Sequence, residues 1–264
     1  MEIAGYIGAI LTGLILGFIG GGGSILTVPI LVYLFQIDAV LATAYSLFIV
    51  GLTSLVGSVS HIKLGNIHWK TALAFGIPSI FSVFFTRLVI VPQIPNPIFA
   101  IGSFVVSKQM GLLVLFAIIM ILASYSMIKP SKKKDETLVN DFKFSFPLIF
   151  MEGLTEGLIT GLVGVGGGFL IIPVLVLTAK LPMKKAVGTS LLIIATKSLI
   201  GFVGDLKGDK LIDWQFLSIY SSLAVAGILL GSFLSRKISG EKLKPAFGCF
   251  VFIMGIYIIL KELL

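Results

Sequence analysis

Hydrophobic residues in this chain run in long blocks, not in the narrow stripes of a soluble amphipathic helix. Residues 71–91, 110–128, 186–203, 215–234 and 245–260 are predominantly apolar, and a helix needs roughly 20 such residues to cross a bilayer. Polar residues collect in short connections and in one longer stretch, 129–145. No soluble domain is left over once the apolar blocks are assigned. The pattern predicts an all-α polytopic membrane protein in two repeats, 1–128 and 146–264. Each repeat reads as one interrupted segment followed by three full helices. These are 3–19 with 24–36, then 40–62, 69–91 and 109–128, and 146–163 with 169–179, then 184–204, 213–235 and 245–262. Residues 92–108, with Pro92, Pro95 and Pro97, have no counterpart in the second repeat and read as a loop with a short apolar piece at 98–106.

The interruption is the most specific feature. Gly17-Phe18-Ile19-Gly20-Gly21-Gly22-Gly23-Ser24-Ile25-Leu26-Thr27-Val28-Pro29 returns 144 residues later, without a gap, as Gly161-Leu162-Val163-Gly164-Val165-Gly166-Gly167-Gly168-Phe169-Leu170-Ile171-Ile172-Pro173. Between 13 and 32, 11 of 20 positions match their partners. The correspondence continues through Ala42/Ala186, Ser46/Ser190, Ser54/Ser198 and Lys63/Lys207. After one inserted residue it brings Trp69 onto Trp214. Glycine inside a helix costs about 1 kcal/mol relative to alanine. Clustering it at corresponding places in two apolar segments therefore marks a helix broken for a purpose. Paired interrupted helices are the best sequence pointer to a transport site.

Charge bears on topology. The chain is 57% hydrophobic, only 12% charged, and carries a formal net charge of +8, with mean hydropathy +1.10. That balance places basic loops beside lipid headgroups and gives no polar face for nucleic acid. The arms of the interrupted segments are about 26 and 20 Å long at 1.5 Å per residue, which does not decide whether they cross or return. If they return, Lys63, Lys70, Lys129, Lys132, Lys133, Lys134, Lys143, Lys180, Lys184, Lys185, Arg236, Lys237, Lys242 and Lys244 share one side. Only Arg87, Lys108, Lys207, Lys210 and Lys261 then lie opposite, a 14-to-5 split. The positive-inside rule favours that arrangement. It makes each interruption a hairpin, 3–36 and 146–179, inverts the repeats, and leaves linker 129–145 in the cytoplasm of a plasma-membrane protein. Met1-Glu2 offers no basic n-region, and 3–19 take part in the repeat, which argues against a removable signal peptide. Cys249 is the sole cysteine, so no disulfide forms within one chain.

Broken helices at membrane depth expose backbone N–H groups and the positive end of a helix dipole. A glycine nest of this kind suits a compact anion. The candidate binding groups are Gly20, Gly21, Gly22, Gly23 and Ser24 in the first run, and Gly164, Gly166, Gly167 and Gly168 in the second. Ser46, Thr53, Ser190 and Lys197 on the helices that follow line a plausible cavity wall. The plainer role for the glycines is close helix packing.

Two copies of G-x-x-G-x-G-G-G/S-x-x-x-x-P, each followed by a helix of Ala/Thr/Ser-Leu character (Ala42-Thr43-Ala44-Tyr45-Ser46-Leu47 and Ala186-Val187-Gly188-Thr189-Ser190-Leu191), resemble the TauE/SafE sulfite exporter family, also called the 4-toluene sulfonate uptake permease family. The resemblance covers nearly the whole chain. It implies a secondary transporter, an exporter, of small sulfur-containing anions such as sulfite, thiosulfate or organosulfonates. Ser24 stands where the second copy has Gly168, and Ala44-Tyr45 where it has Gly188-Thr189, so the two halves of the site are unequal.

Ionisable residues within the apolar helices carry the remaining chemistry. Lys197 lies mid-helix, where a cation costs about 2.5–3.5 kcal/mol on insertion scales. It either attracts the anion or completes a structural ion pair. Glu152 and Glu156, one helical turn apart, are candidates for proton or sodium coupling. Glu156 equally suits neutralising Lys197, and Glu152 suits a position near the headgroups. His61 and Asp205 are repeat partners at helix ends, fit for coupling or for capping. No HExxH, ATP-binding motif or serine–histidine constellation is present, so the expectation is a non-enzyme with no cofactor and no metal. An anion channel with the same midplane site, or a carrier of another carboxylate or oxyanion, remains an alternative. The composition permits a homo-oligomer.

Overall fold

A computed structural model describes residues 2–101, 104–128, 146–206, 212–234 and 240–263. The linker 129–145 and the loop cations Lys207, Lys210, Arg236 and Lys237 lie outside these, as does the placement of the linker in the cytoplasm. Among the described residues the regular structure is helical apart from one short antiparallel strand pair. Helix α1 (Glu2–Ile19) stops at the first glycine run, and a 3-10 turn (Gly22–Leu26) leads into α2 (Thr27–Tyr33). Helix α3 (Ala39–Lys63) follows. Then α4 (Trp69–Phe85), a π turn (Thr86–Ile90) and α5 (Val91–Gln93) join as one continuous span. Strands β1 (Phe99–Ile101) and β2 (Phe104–Val106) pair antiparallel, with Phe99 opposite Val106. Helices α6 (Lys108–Ile128), α7 (Phe146–Val163), α8 (Gly168–Leu177), α9 (Met183–Asp205), α10 (Trp214–Leu234) and α11 (Gly240–Leu263) complete the chain.

Among the described residues six helices are long and apolar enough to cross a membrane: α3, the α4–α5 span, α6, α7, α9 and α10. Helix α7 is one of them, so the first arm of the second interrupted segment is by length a full span. The segments Ile3–Phe18 and Gly23–Tyr33 are shorter apolar helices. Large apolar side chains face outward, including Phe81, Leu122, Ile253 and Phe233. In water such a surface would aggregate; against acyl chains it is the favoured exterior.

Two sequence expectations change. The stretch 92–108 holds a strand pair where a loop was expected, with the Ile98 N–H donating to the Val106 carbonyl at 2.8 Å. Arg87, expected among the loop cations, sits inside the α4–α5 span and is 1% exposed. It is tolerated there because Asp205 and Thr43 meet it.

Helix pairs form the scaffold: α1 lies along α10, α7 along α4, α3 along α9, and α6 along α11. Small residues set the closest approaches, as is usual where no hydrophobic effect drives helices together. Gly13 and Gly17 of α1 face Ala224, Ile228 and Gly231 of α10, and Gly153 and Gly157 of α7 rest on the Phe75 and Ser79 carbonyls of α4. Buried Leu47, Ile49, Ile193 and Ile194 of α3 and α9 fill the centre.

These contacts predict opposite outcomes for two alanines. In Gly157→Ala the new Cβ would lie 2.5 Å from the Ser79 carbonyl oxygen, and forcing α7 off α4 should cost about 1–3 kcal/mol. In Gly76→Ala the Cβ would meet only Ile193, at 3.6 Å, and the helix should gain up to about 1 kcal/mol. Thermal unfolding of the purified protein in detergent should show a lower midpoint for the first and an unchanged or higher one for the second.

Candidate functional site

Helix α1 closes its last turn with the Gly20 N–H on the Leu16 carbonyl at 2.8 Å, and α7 ends the same way with Gly164 on Thr160 at 2.7 Å. Beyond these bonds the glycines take conformations that other L-residues avoid: φ is +73° at Gly20, +148° at Gly21, +74° at Gly164, +69° at Gly166 and +65° at Gly167. The two runs meet. A Cβ at Gly21 would lie 2.7 Å from the backbone of Gly168, and one at Gly168 would strike Gly21. The Ser190 hydroxyl of α9 sits 2.8 Å from the carbonyls of both Gly20 and Val187, tying the helix after the second run to the first.

The second run is flanked by two buried ion pairs. On one side Lys197, fully buried in α9, pairs with Glu156 of α7, which is 4% exposed. The Lys197 ammonium also donates to Thr160 Oγ1 at 3.1 Å. The Thr160 hydroxyl donates to Glu156 Oε1 at 2.6 Å, and the Ser79 hydroxyl to Oε2 at 2.8 Å. Both carboxylate oxygens are thus satisfied. On the other side Arg87 Nη1 lies 3.5 Å from Asp205 and donates to Thr43 Oγ1 at 3.0 Å. A side chain at Gly167 would press on Glu156, Thr160 and Lys197, and one at Gly164 on Thr43 and Arg87. Three residues of chain span at most about 11 Å, so both cations abut one short piece of backbone.

The family model for the sulfite exporter TauE/SafE matches residues 6–258. The chain belongs to the TauE/SafE family. A probable membrane transporter protein of Xylella fastidiosa (strain 9a5c) is 27% identical over 260 residues, covering 96% of this chain and 92% of the relative. One of Methanocaldococcus jannaschii is 28% identical over 270 residues, covering 95% and 94%. Bacillus subtilis YdhB, also a probable membrane transporter protein, is 26% identical over 233 residues and 86% of each chain. No solved structure matches. This TauE/SafE chain is thus a multi-pass membrane transporter, in agreement with the expected non-enzyme.

Most of the sequence-derived candidates converge. Gly20, Gly21, Gly164, Gly166, Gly167, Gly168, Ser190, Lys197 and Glu156 form one neighbourhood, with the Ser198 hydroxyl 3.3 Å from where a Gly166 Cβ would be. Several donors are spent locally. Ser24 Oγ turns back to the Gly21 carbonyl at 2.8 Å, and Thr53 Oγ1 to Ile49 at 2.6 Å. The buried hydroxyls of Ser46, Ser54, Ser198 and Thr27 have no hydrogen-bond partner. Gly22 and Gly23 lie in the 3-10 turn, and Gly23 is packed on Thr12 and Leu16. Glu152 stands apart, half-buried, accepting from Thr178 Oγ1 at 3.0 Å. His61 is half-buried near the end of α3 beside Gly188. Its repeat partner Asp205 holds Arg87 instead. Arg87 is the residue that sequence reasoning missed. The signal was in the expected helix 69–91 itself, which carries Arg87 four residues inside its end and continues apolar from Leu88 to Val91.

Cutting either ion pair should be costly. In Glu156→Gln the Lys197 ammonium stays buried without its counter-charge, a loss of about 3–5 kcal/mol. The double variant Lys197→Met with Glu156→Leu should regain most of that loss. Unfolding midpoints of the three proteins in one detergent check the ordering.

Proposed function

We propose that this TauE/SafE chain is a secondary transporter that carries a small sulfur-containing anion, such as sulfite, thiosulfate or an organosulfonate, by alternating access around the junction of the two glycine runs. The observation that carries the reading is the backbone contact between Gly21 and Gly168, flanked by the Lys197–Glu156 and Arg87–Asp205 pairs. The sulfur chemistry rests on the family. Arg87, Lys197 and Glu156 are all nearly inaccessible to water, which supports a closed carrier over an open pore. The direction follows the family description, export.

In this reading the interrupted segments are hairpins that return to their own sides, and the repeats 1–128 and 146–264 are inverted. Support comes from Gly5 packing on Phe35 and Gly8 on Ile30, and from the Thr178–Glu152 hydrogen bond near the open end of the second segment. The exchanged packing of α1 on α10 and α7 on α4 supports it too. With Arg87 removed from the loop tally, Lys108, Lys207, Lys210 and Lys261 remain opposite the basic side. Linker 129–145 is then cytoplasmic in the plasma membrane.

The charge balance supports coupling. Among the described residues the buried cations Arg87 and Lys197 each face a carboxylate, Asp205 and Glu156. An anion entering alone would leave an uncompensated buried charge, which is strongly unfavourable. A proton delivered to Glu156, whose facing charge is Lys197, restores neutrality and loosens that lysine.

Reconstituted protein should give saturable flux of one sulfur anion among sulfite, thiosulfate, sulfoacetate and sulfate, stimulated by a proton gradient. Gly166→Val should abolish it, since φ is +69° and Val50 would lie 2.6 Å from the new Cβ. Flux that stays linear with concentration would favour a channel, and flux confined to other anions would remove the sulfur assignment.

A further inference from the structure

The two buried cations differ in how their donors are used. Lys197 meets Glu156 and Thr160, and every oxygen of that carboxylate is taken. Arg87, only 1% exposed, uses Nη1 alone, for Thr43 and Asp205. Its Nε and Nη2 atoms are buried with no hydrogen-bond partner. In a planar guanidinium these two nitrogens form one edge, with two N–H bonds pointing the same way. That edge matches two oxygens of a planar or pyramidal oxyanion. A structural arginine in a medium without water would be expected to use such donors, because leaving them unpaired is costly.

The edge sits beside the second glycine run. A Cβ at Gly164, which has φ +74°, would strike Nη2, so only a glycine lets the guanidinium approach the backbone this closely. Arg87 is also carried on the π turn Thr86–Ile90, and π turns inside helices recur at functional sites. The second repeat has Ser232 at the corresponding position, one residue beyond the 144 offset. The second repeat therefore has no guanidinium at the matching position.

We propose that the Nε/Nη2 edge of Arg87 is the oxyanion-binding fork of this protein, gripping two oxygens of the ligand beside Gly164 while Asp205 and Thr43 hold the guanidinium from its other side. The inference takes its ligand class from the transport reading above. It assigns the specificity contact to an arginine and leaves Lys197 in the ion pair that neutralises Glu156.

The chain has two arginines, Arg87 and Arg236, so 15N spectra of arginine-labelled protein in nanodiscs should contain two Nε–H signals. Arg236→Lys assigns them without touching Arg87. Sulfite or sulfoacetate should move the Arg87 signal saturably, and chloride should not. Arg87→Lys, which keeps the charge and loses the fork, should weaken anion binding by calorimetry about tenfold or more. Sulfur-anion flux with the Arg87 signal unmoved would overturn the fork and spare the transport reading. A shift with acetate or phosphate and none with sulfur anions would keep the fork and overturn the sulfur assignment. No shift with any oxyanion would overturn the fork.

Discussion

Gly21 and Gly168 touch with no side chain between them, and much of the interior is arranged around that contact. A helix that stops within a bilayer has backbone groups no solvent will satisfy. Here the stop is completed by protein. Ser190 reaches the Gly20 carbonyl, the Ser24 hydroxyl covers Gly21, and the first turn of α8 folds the Leu170 and Ile171 N–H groups onto Gly167. Any side chain at Gly21 or Gly168 would separate the two ends and undo these bonds together.

The same contact explains why charge is buried beside it. A polar junction among apolar helices needs a matched electrostatic environment, and isolated ions would be prohibitively desolvated. Two cation–carboxylate pairs meet both needs. Such pairs contribute little net stability relative to an apolar filling, so keeping two of them points to use over strength. Their inequality matters as well: one is saturated by Ser79 and Thr160, and the other keeps an unused edge.

Much of this was legible in the chain. The glycine runs marked both helix ends, and α7 spans the 146–163 expected from hydropathy. Of the two roles open to Lys197, the structure supplies the partner for the ion pair. Arg87 escaped because a lone arginine near the end of an apolar block normally snorkels to headgroups. What keeps it inside is Asp205, distant in sequence and matched to a histidine in the repeat. The strand pair at 99–106 escaped because prolines and short apolar pieces fit a loop equally well. The spent hydroxyls of Ser24 and Thr53 were not readable, since hydroxyl direction depends on local backbone carbonyls and not on residue type.

The exchanged helix pairing constrains how the protein is made. Helix α1 has its main packing surface on α10, near the other end of the chain, and α7 has its own on α4. As the chain emerges in order, α1 enters the membrane long before α10 is synthesised, leaving the glycine face of Gly13 and Gly17 open to lipid or to passing helices. Final locking must await α10, so assembly has a late, long-range step of the kind that high contact order makes slow.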